Sequence, residues 1–428
     1  MRLLIYTVRS GDSIYSIAHR YGVSVQAITN DNQLQNPNQL VVGQALVIPV
    51  DATVHRVVAG ESIYQIARNY GTTVAQILAV NPDITNPSSI HVGQNIVIPK
   101  QVGTSRKIDV NGYSFPSTNA GVIQNTLPYL TYLSIFAYQA RADGSLVTIP
   151  DTPQITTAWR NNVAPMMVLT NILEGGSFNS DLAHTILTDE QVRNTLLDNV
   201  VATLNEKDYF GLDIDFEYIY PNDRQSYNDF LRMTVDRLHP LGYQVVTSLA
   251  PKTSASQTGL LYTAHDYPVH GRLADHVILM TYEWGYTYGP AQAVAPIDQV
   301  EKVLQYAVSV IPSQKILMGM PNYGYDWTLP FVQGSAARSI TNREAVNLAA
   351  REGAQIKYDM KAQAPYFNYY DSSGREHEVW FDDARSIQAR LRLVEKYNLG
   401  GVSYWTIGSY FRPNWVVLDS MYDINKVV

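Results

Sequence analysis

Hydrophobic positions in the first hundred residues fall into two matching patterns. Ile14, Ile17, Ala18 and Tyr21 stand at i, i+3, i+4 and i+7, and Ile63, Ile66, Ala67 and Tyr70 repeat that spacing. Each set predicts the apolar face of a short helix, with Gly22 and Gly71 as C-terminal stops. A second short helix is predicted to open near Ser24 and near Thr73, and Leu46-Val-Ile-Pro and Ile96-Val-Ile-Pro read as strands ended by proline. The residues themselves repeat: Tyr6-Thr-Val-Arg-Ser-Gly-Asp-Ser-Ile-Tyr matches His55-Arg-Val-Val-Ala-Gly-Glu-Ser-Ile-Tyr. A period of about fifty residues indicates two copies of one small strand–helix–helix–strand module, over 1–50 and 51–100.

Residues 101–107 read as a linker, behind which the modules are expected to fold as independent domains. From residue 108 apolar runs of strand length alternate with helical stretches, the pattern of parallel βα units. The runs are Val110–Ser114, Tyr132–Tyr138, Met166–Thr170, Phe210–Glu217, Gln244–Leu249, His276–Tyr282, Ile316–Met320 and Gly401–Trp405. Eight of them across 108–428 predict an α/β chain folded as a TIM (β/α)8 barrel, whose active residues belong at the C-terminal strand ends. The stretch between the seventh and eighth runs is too long for one helix. Thr341-x-x-Glu344 has the form of a capping box opening a helix that stops at Gly353. Tyr366-Phe-Asn-Tyr-Tyr and His377-Glu-Val-Trp-Phe flank Asp371-Ser-Ser-Gly374 as a hairpin. Together these predict a small α+β insertion at about 326–378, after which Asp382-Asp-Ala-Arg begins the last helix before strand eight.

One run carries chemistry. Leu212, Ile214 and Phe216 alternate with Asp213, Asp215 and Glu217, so the strand has one apolar face and one face bearing carboxylates about 6–7 Å apart. A solvated acidic edge would look similar, but the flanking Phe-Gly and Tyr-Ile-Tyr-Pro indicate a buried strand running into a loop. Like charges there push at least one pKa upward, which suits a neutral acid beside an ionised partner.

The bulk numbers exclude several classes. The formal charge of −7 gives no basic footprint for nucleic acid, and no run approaches the ~20 apolar residues of a membrane span. Arg2-Leu-Leu-Ile-Tyr is too short for the apolar core of a signal peptide. The absence of cysteine removes disulfide and thiolate chemistry. The nine histidines form no HExxH pair, and His377-Glu378 sits in the expected hairpin, so no metal site and no cofactor are predicted. Thirty tyrosines and six tryptophans suit stacking on sugar rings, although most aromatics in any barrel belong to its core.

The run 210–217 resembles the Asp-Gly-x-Asp-x-Asp-x-Glu signature of family 18 glycoside hydrolases, with Asp213, Asp215 and Glu217 on its last three acidic positions and Phe210 in place of the first Asp. Three further segments resemble that family at the right strands. Met280-Thr-Tyr282-Glu283 resembles Met-x-Tyr-Asp with Glu replacing the Asp, Pro321-Asn322-Tyr323-Gly resembles Pro-x-Tyr-Gly, and Gly400-Gly-Val-Ser-Tyr-Trp405 resembles Gly-Gly-x-x-x-Trp. Residues 171–176 fit the family's Gly-Gly turn loosely. The resemblance implies substrate-assisted catalysis, in which the sugar's own N-acetyl group is the nucleophile and configuration is retained. Glu217 would be the acid–base, Asp215 the support of the acetamido group, Asp213 the residue that tunes Asp215, and Tyr282 the donor to the acetamido oxygen. Trp405 would floor the sugar unless it merely fills the barrel end, with Glu283, Tyr323, Asn322 and Met280 as further cleft residues.

Both N-terminal copies resemble the LysM glycan-binding module. That resemblance implies a groove at Gly11, Asp12, Ser13 and Asn32, and at Gly60, Glu61, Ser62 and Asn81, although Asp12, Ser13, Glu61 and Ser62 are equally placed to cap a helix. The whole chain resembles the spore cortex-lytic N-acetylglucosaminidases of Bacillus-type spore formers. A monomer acting on cortex peptidoglycan during germination is implied, placed in the spore coat or cortex and made in the mother cell without a signal peptide. Two alternatives stay open: a chitinase, and a chitinase-like lectin that binds glycan without cleaving it.

Overall fold

In the computed structural model, which describes residues 3–50, 52–70, 72–79, 81, 84, 86–99 and 106–428, all eight runs form parallel strands of one closed barrel. They are Lys107–Ser114, Tyr132–Ala140, Ala164–Thr170, Gly211–Asp215, Gln244–Leu249, His276–Leu279, Ile316–Pro321 and Gly401–Trp405. Each pairs with its sequence neighbour, and the eighth pairs with the first (Val402 opposite Val110), which closes the ring. Alternation sorts the side chains. Leu133, Ile135, Met167, Leu169, Leu212 and Ile214 pack outward against the helices, while Tyr113, Tyr132, Met166, Val168, Val246 and Ile278 fill the interior.

The structure moves several boundaries. The fourth strand ends at Asp215 and the sixth at Leu279, so Glu217, Met280 and Tyr282 stand on the loops beyond and not on strands. The first strand starts at Lys107, which takes the last residue of the expected linker into the barrel. Gln101 to Ser105 and the helix stop expected at Gly71 lie outside the described residues. Phe210 precedes its strand and packs on Tyr132 and Trp159, with ring centroids 6.2 and 6.3 Å away.

The insertion is a five-stranded antiparallel sheet, Gly324–Thr328, Arg338–Ile340, Lys357–Asp359, Ala364–Tyr370 and Glu376–Trp380, with the helix Asn342–Arg351 beside it. Half of the expected capping box is present. The Thr341 hydroxyl accepts from the Glu344 N–H (3.1 Å), but the Glu344 carboxylate pairs with Arg338 (2.9 Å) instead of reaching back.

Each N-terminal module is an antiparallel strand pair, Leu4–Thr7 with Ala45–Ile48 and Ala52–Arg56 with Asn95–Pro99. Two helices cover each pair, Ile14–Tyr21 and Val25–Asp31 in the first copy and Ile63–Asn69 and Val74–Ala79 in the second. Gly22 ends the first helix in the left-handed region. The first module is more than tethered. Val41 packs into the insertion's core with Ile340, Leu348 and Ile356, and Val47 joins the outer core of the barrel. Arg412 pairs with Asp31 (2.8 Å), and the Ile356 N–H donates to the Val42 carbonyl (3.0 Å). At Gly43, φ +86, an added Cβ would fall 1.8 Å from the Ile356 carbonyl oxygen, so only glycine allows this approach. The second module leans on the first, with Val97 against the first module's core. The expectation of two independent modules is therefore corrected for the first, whose docking face is continuous with the catalytic domain.

Candidate active site

Asp213 and Asp215 leave the barrel's fourth strand pointing inward, because Leu212 and Ile214 take the outward face. Asp213 is fully buried; Tyr113 Oη donates to its Oδ2 (2.6 Å), and the Ser134 hydroxyl lies 3.0 Å from the same oxygen. Burial pushes its carboxyl up to about 6 even so, these two hydroxyls and that of Ser248 pulling the other way. Asp215 is 5% exposed, and its Oδ1 has no hydrogen-bond partner among the described residues. Burial, then the Glu217 and Asp213 charges, holds Asp215 well above the usual carboxylate range. Burial likewise raises Glu217 to about 7. Burial thus favours a neutral acid at the mouth, two residues from a second carboxyl group whose unpartnered Oδ1 can accept from a substrate N–H.

Glu217 is aimed by a turn rather than by the strand. Phe216 stays outward, stacked on Phe230 and Tyr227 (centroids 5.6 and 6.1 Å), and Tyr218 adopts φ +54. Three side chains hold the turn's backbone. His265 Nε2 bonds the Phe216 carbonyl (3.0 Å), and Ser180 Oγ donates to the Tyr218 carbonyl (2.5 Å). Asn171, fully buried, accepts from the Glu217 N–H (2.9 Å) and donates to the Glu217 carbonyl (2.8 Å) and the Asn179 carbonyl (3.0 Å). Beyond the loose fit of residues 171–176, no local pattern pointed to this clamp. Asn171→Ala is expected to lower kcat about tenfold or more with a smaller change in KM, since a misplaced acid costs rate more than binding. Steady-state kinetics with a melting curve checks this, and unchanged kcat in a folded variant would remove Asn171 from the site.

A cavity of about 550 Å³ opens above these acids, and Tyr113, Asp215, Glu217, Met280, Tyr282, Glu283 and Trp405 line it. Phe178, Tyr218, Tyr262 and Tyr286 also line it; they come from loops whose spacing carried no pattern. Burial and the acidic trio hold the Tyr282 hydroxyl far above its usual range, so it remains a donor. Trp405 packs edge-on against Phe136, Tyr113 and Phe115, with centroids 4.9, 5.3 and 5.9 Å away, and forms part of the cavity wall.

Two expected substrate contacts have other partners. Asn322 is buried, and its amide donates to the Thr406 and Ser409 carbonyls (3.0 and 2.7 Å), tying down the loop behind Trp405. Tyr323 donates its hydroxyl to Glu283.

In the modules Ser13 and Ser62 are the helix N-caps, each within a reciprocal capping box. Asp12 and Glu61 do not cap. They accept from the Arg9 and Val58 N–H groups (both 2.8 Å) and close the turns at Gly11 and Gly60. Asn32 and Asn81 are buried staples: each donates to two carbonyls and accepts from Val47 N–H or Val97 N–H. Tyr15 and Tyr64, at equivalent places in the two copies, are 71% and 68% exposed and escaped the sequence reading as candidate sugar platforms.

The profile of glycosyl hydrolases family 18 matches residues 124–409, and that of the LysM domain matches 6–49 and 55–99. The chain belongs to glycosyl hydrolase family 18. It is a glycoside hydrolase with a LysM pair ahead of the family barrel. It is 42% identical over 429 residues to the cortical fragment-lytic enzyme of Bacillus subtilis (strain 168), covering 99% of each chain. The crystal structure of the Bacillus megaterium QM B1551 spore cortex-lytic enzyme SleL superposes with a TM-score of 0.91 at 41% identity, over 99% of both chains. A chitinase from Chromobacterium violaceum ATCC 12472 matches 73% of this chain and 98% of its own, at 25% identity and a TM-score of 0.69.

Among the described residues no cluster of His, Cys, Asp and Glu could hold a metal ion, and no helix is long and apolar enough to cross a membrane.

Proposed function

We propose that the chain is a spore-cortex peptidoglycan β-N-acetylglucosaminidase working by substrate assistance, anchored to glycan by its LysM modules and acting in germination. The observation that carries the mechanism is the run of Asp213, Asp215 and Glu217 along the end of the fourth strand and the turn after it, which brings Asp215 and Glu217 into the cavity two residues apart. A retaining enzyme with a protein nucleophile sets two carboxylates about 5–5.5 Å apart across the bond. Here the nucleophile is the acetamido oxygen of the sugar on the non-reducing side. Glu217 gives its proton to the leaving oxygen and later takes one from water. Asp215, with its open Oδ1, accepts from the acetamido N–H and offsets the charge forming on the oxazolinium ring. Tyr282 donates to the acetamido oxygen, Asp213 holds a proton with Asp215, and Trp405 floors the sugar. The full-length likeness to cortical fragment-lytic enzymes supports cortex glycan as substrate.

Because the acetamido group must attack, every product is expected to end in a reducing N-acetylglucosamine. Mass spectrometry of borohydride-reduced products from purified cortex checks this. De-N-acetylated glycan should resist cleavage by on the order of 10²-fold or more, the nucleophile being gone. Products ending in reducing muramic acid, or a glycosyl ester trapped on any carboxylate, would overturn the mechanism.

A further inference from the structure

Charge inside the cleft is one-sided. Asp215, Glu217 and Glu283 are its carboxylates, and no Lys, Arg or His stands among the described residues that line it. Cations of adjoining segments are engaged elsewhere. Lys252, next to the lining residue Pro251, is buried and donates to the His265 carbonyl (3.1 Å), and Arg338 pairs with Asp326 and Glu344. The proposed reaction uses Asp215 and Glu217 and has no task for Glu283.

Glu283 is nonetheless built in. Its backbone sits at φ +67, a region disfavoured for a residue with a Cβ. The Tyr323 and Tyr325 hydroxyls both donate to its carboxylate, and Tyr325 belongs to the first strand of the insertion. Burial raises the Glu283 carboxyl above its usual range, and the two donors pull the other way and fix its direction. Glu217 and Glu283 line the same cavity, together with Tyr218 and Tyr282, which places the two acids around one space.

We propose that Glu283 is a specificity-determining residue: it disfavours glycans bearing a free carboxylate on the sugars beside the cut bond, so the cleft selects uncharged N-acetylhexosamine units. This rests on the glycosidase reading above and names the substrate class of that same site. A substrate carboxylate about 7 Å from Glu283 in a partly desolvated cleft loses on the order of tenfold in kcat/KM.

The test compares a neutral N-acetylglucosamine oligosaccharide derivative, bearing a methyl-ester ether beside the scissile bond, with its free acid, using the full chain. Wild type should cleave the acid about tenfold more slowly than the ester. The ratio should shrink towards one in Glu283→Gln, shrink partly in Tyr325→Phe, and shrink for wild type as ionic strength rises. The salt series needs no variant, so a misfolded Glu283→Gln does not block the test. Equal rates on acid and ester, or a ratio that persists in folded Glu283→Gln, overturns the proposal. Failure to cleave the neutral ester at all would instead strike the glycosidase reading beneath it.

Discussion

Glu217→Gln is expected to abolish most turnover while making the protein more stable above neutral pH. Losing general acid–base catalysis costs on the order of 10²–10⁴ in rate, and the amide keeps the side chain's volume. The stability gain follows from the raised pKa. Glu217 titrates near 7 in the folded protein against an ordinary value of 4.5, so between those values the native state binds more protons than the unfolded chain. Stability from this group is therefore greatest at low pH and declines as pH rises towards 7, staying low beyond. An uncharged amide avoids that loss, which is worth roughly 1–3 kcal/mol after allowance for partial solvent access. Melting curves across pH should show Glu217→Gln above wild type by a few degrees at pH 8 and level with it near pH 4. For wild type, kcat/KM should fall above about pH 7 as the acid loses its proton. Near-normal activity in the amide variant would remove Glu217 from the reaction.

The second large effect is structural. Gly43 and Gly93 occupy equivalent places in the two modules, both at φ +86. A Cβ at Gly93 meets only the Arg56 side chain at 3.7 Å, whereas at Gly43 it meets the Ile356 backbone at 1.8 Å. Valine at either position carries the same left-handed strain, of about 1–2 kcal/mol. Only Gly43→Val also forces the first module off the insertion, adding about 1–3 kcal/mol. Calorimetry should show Gly93→Val weakening the second module alone and Gly43→Val lowering the catalytic domain's transition as well. Matching effects of the two variants on that transition would show the docking to be energetically idle. Removing residues 1–100 should likewise leave a barrel that folds less stably, because Ile340, Leu348 and Ile356 lose the cover of Val41.

What the sequence made legible and what it hid divide along local and non-local lines. All eight strands were readable because alternation and burial are properties of neighbouring residues. Asp213, Asp215 and Glu217 announced themselves for the same reason: three acids alternating with apolar residues have few structural uses. The clamp of Asn171 on Glu217 and of Tyr323 and Tyr325 on Glu283 joins residues some forty positions apart, and no local pattern encodes such a pair. Asn32 and Asn81 misled for the opposite reason. Their place in the module suggested a binding groove, but the loop needs its backbone tied down first, and burial gives them that work. The docking of Val41 was hidden too, since the short apolar run Leu40-Val41-Val42 lies in a loop and has no partner visible in its own segment.

The bolted first module has a bearing on how long glycan strands would be cut. A hydrolase on a slack tether can work anywhere within the tether's radius, and its fragments then vary smoothly in length. Here the first module packs directly on the catalytic domain, so a strand gripped by that module, as proposed above, would reach the acids only at a set offset. Long strands would be clipped in phase with the grip and released between cuts. Fragments too short to span the offset would be cut without any phase.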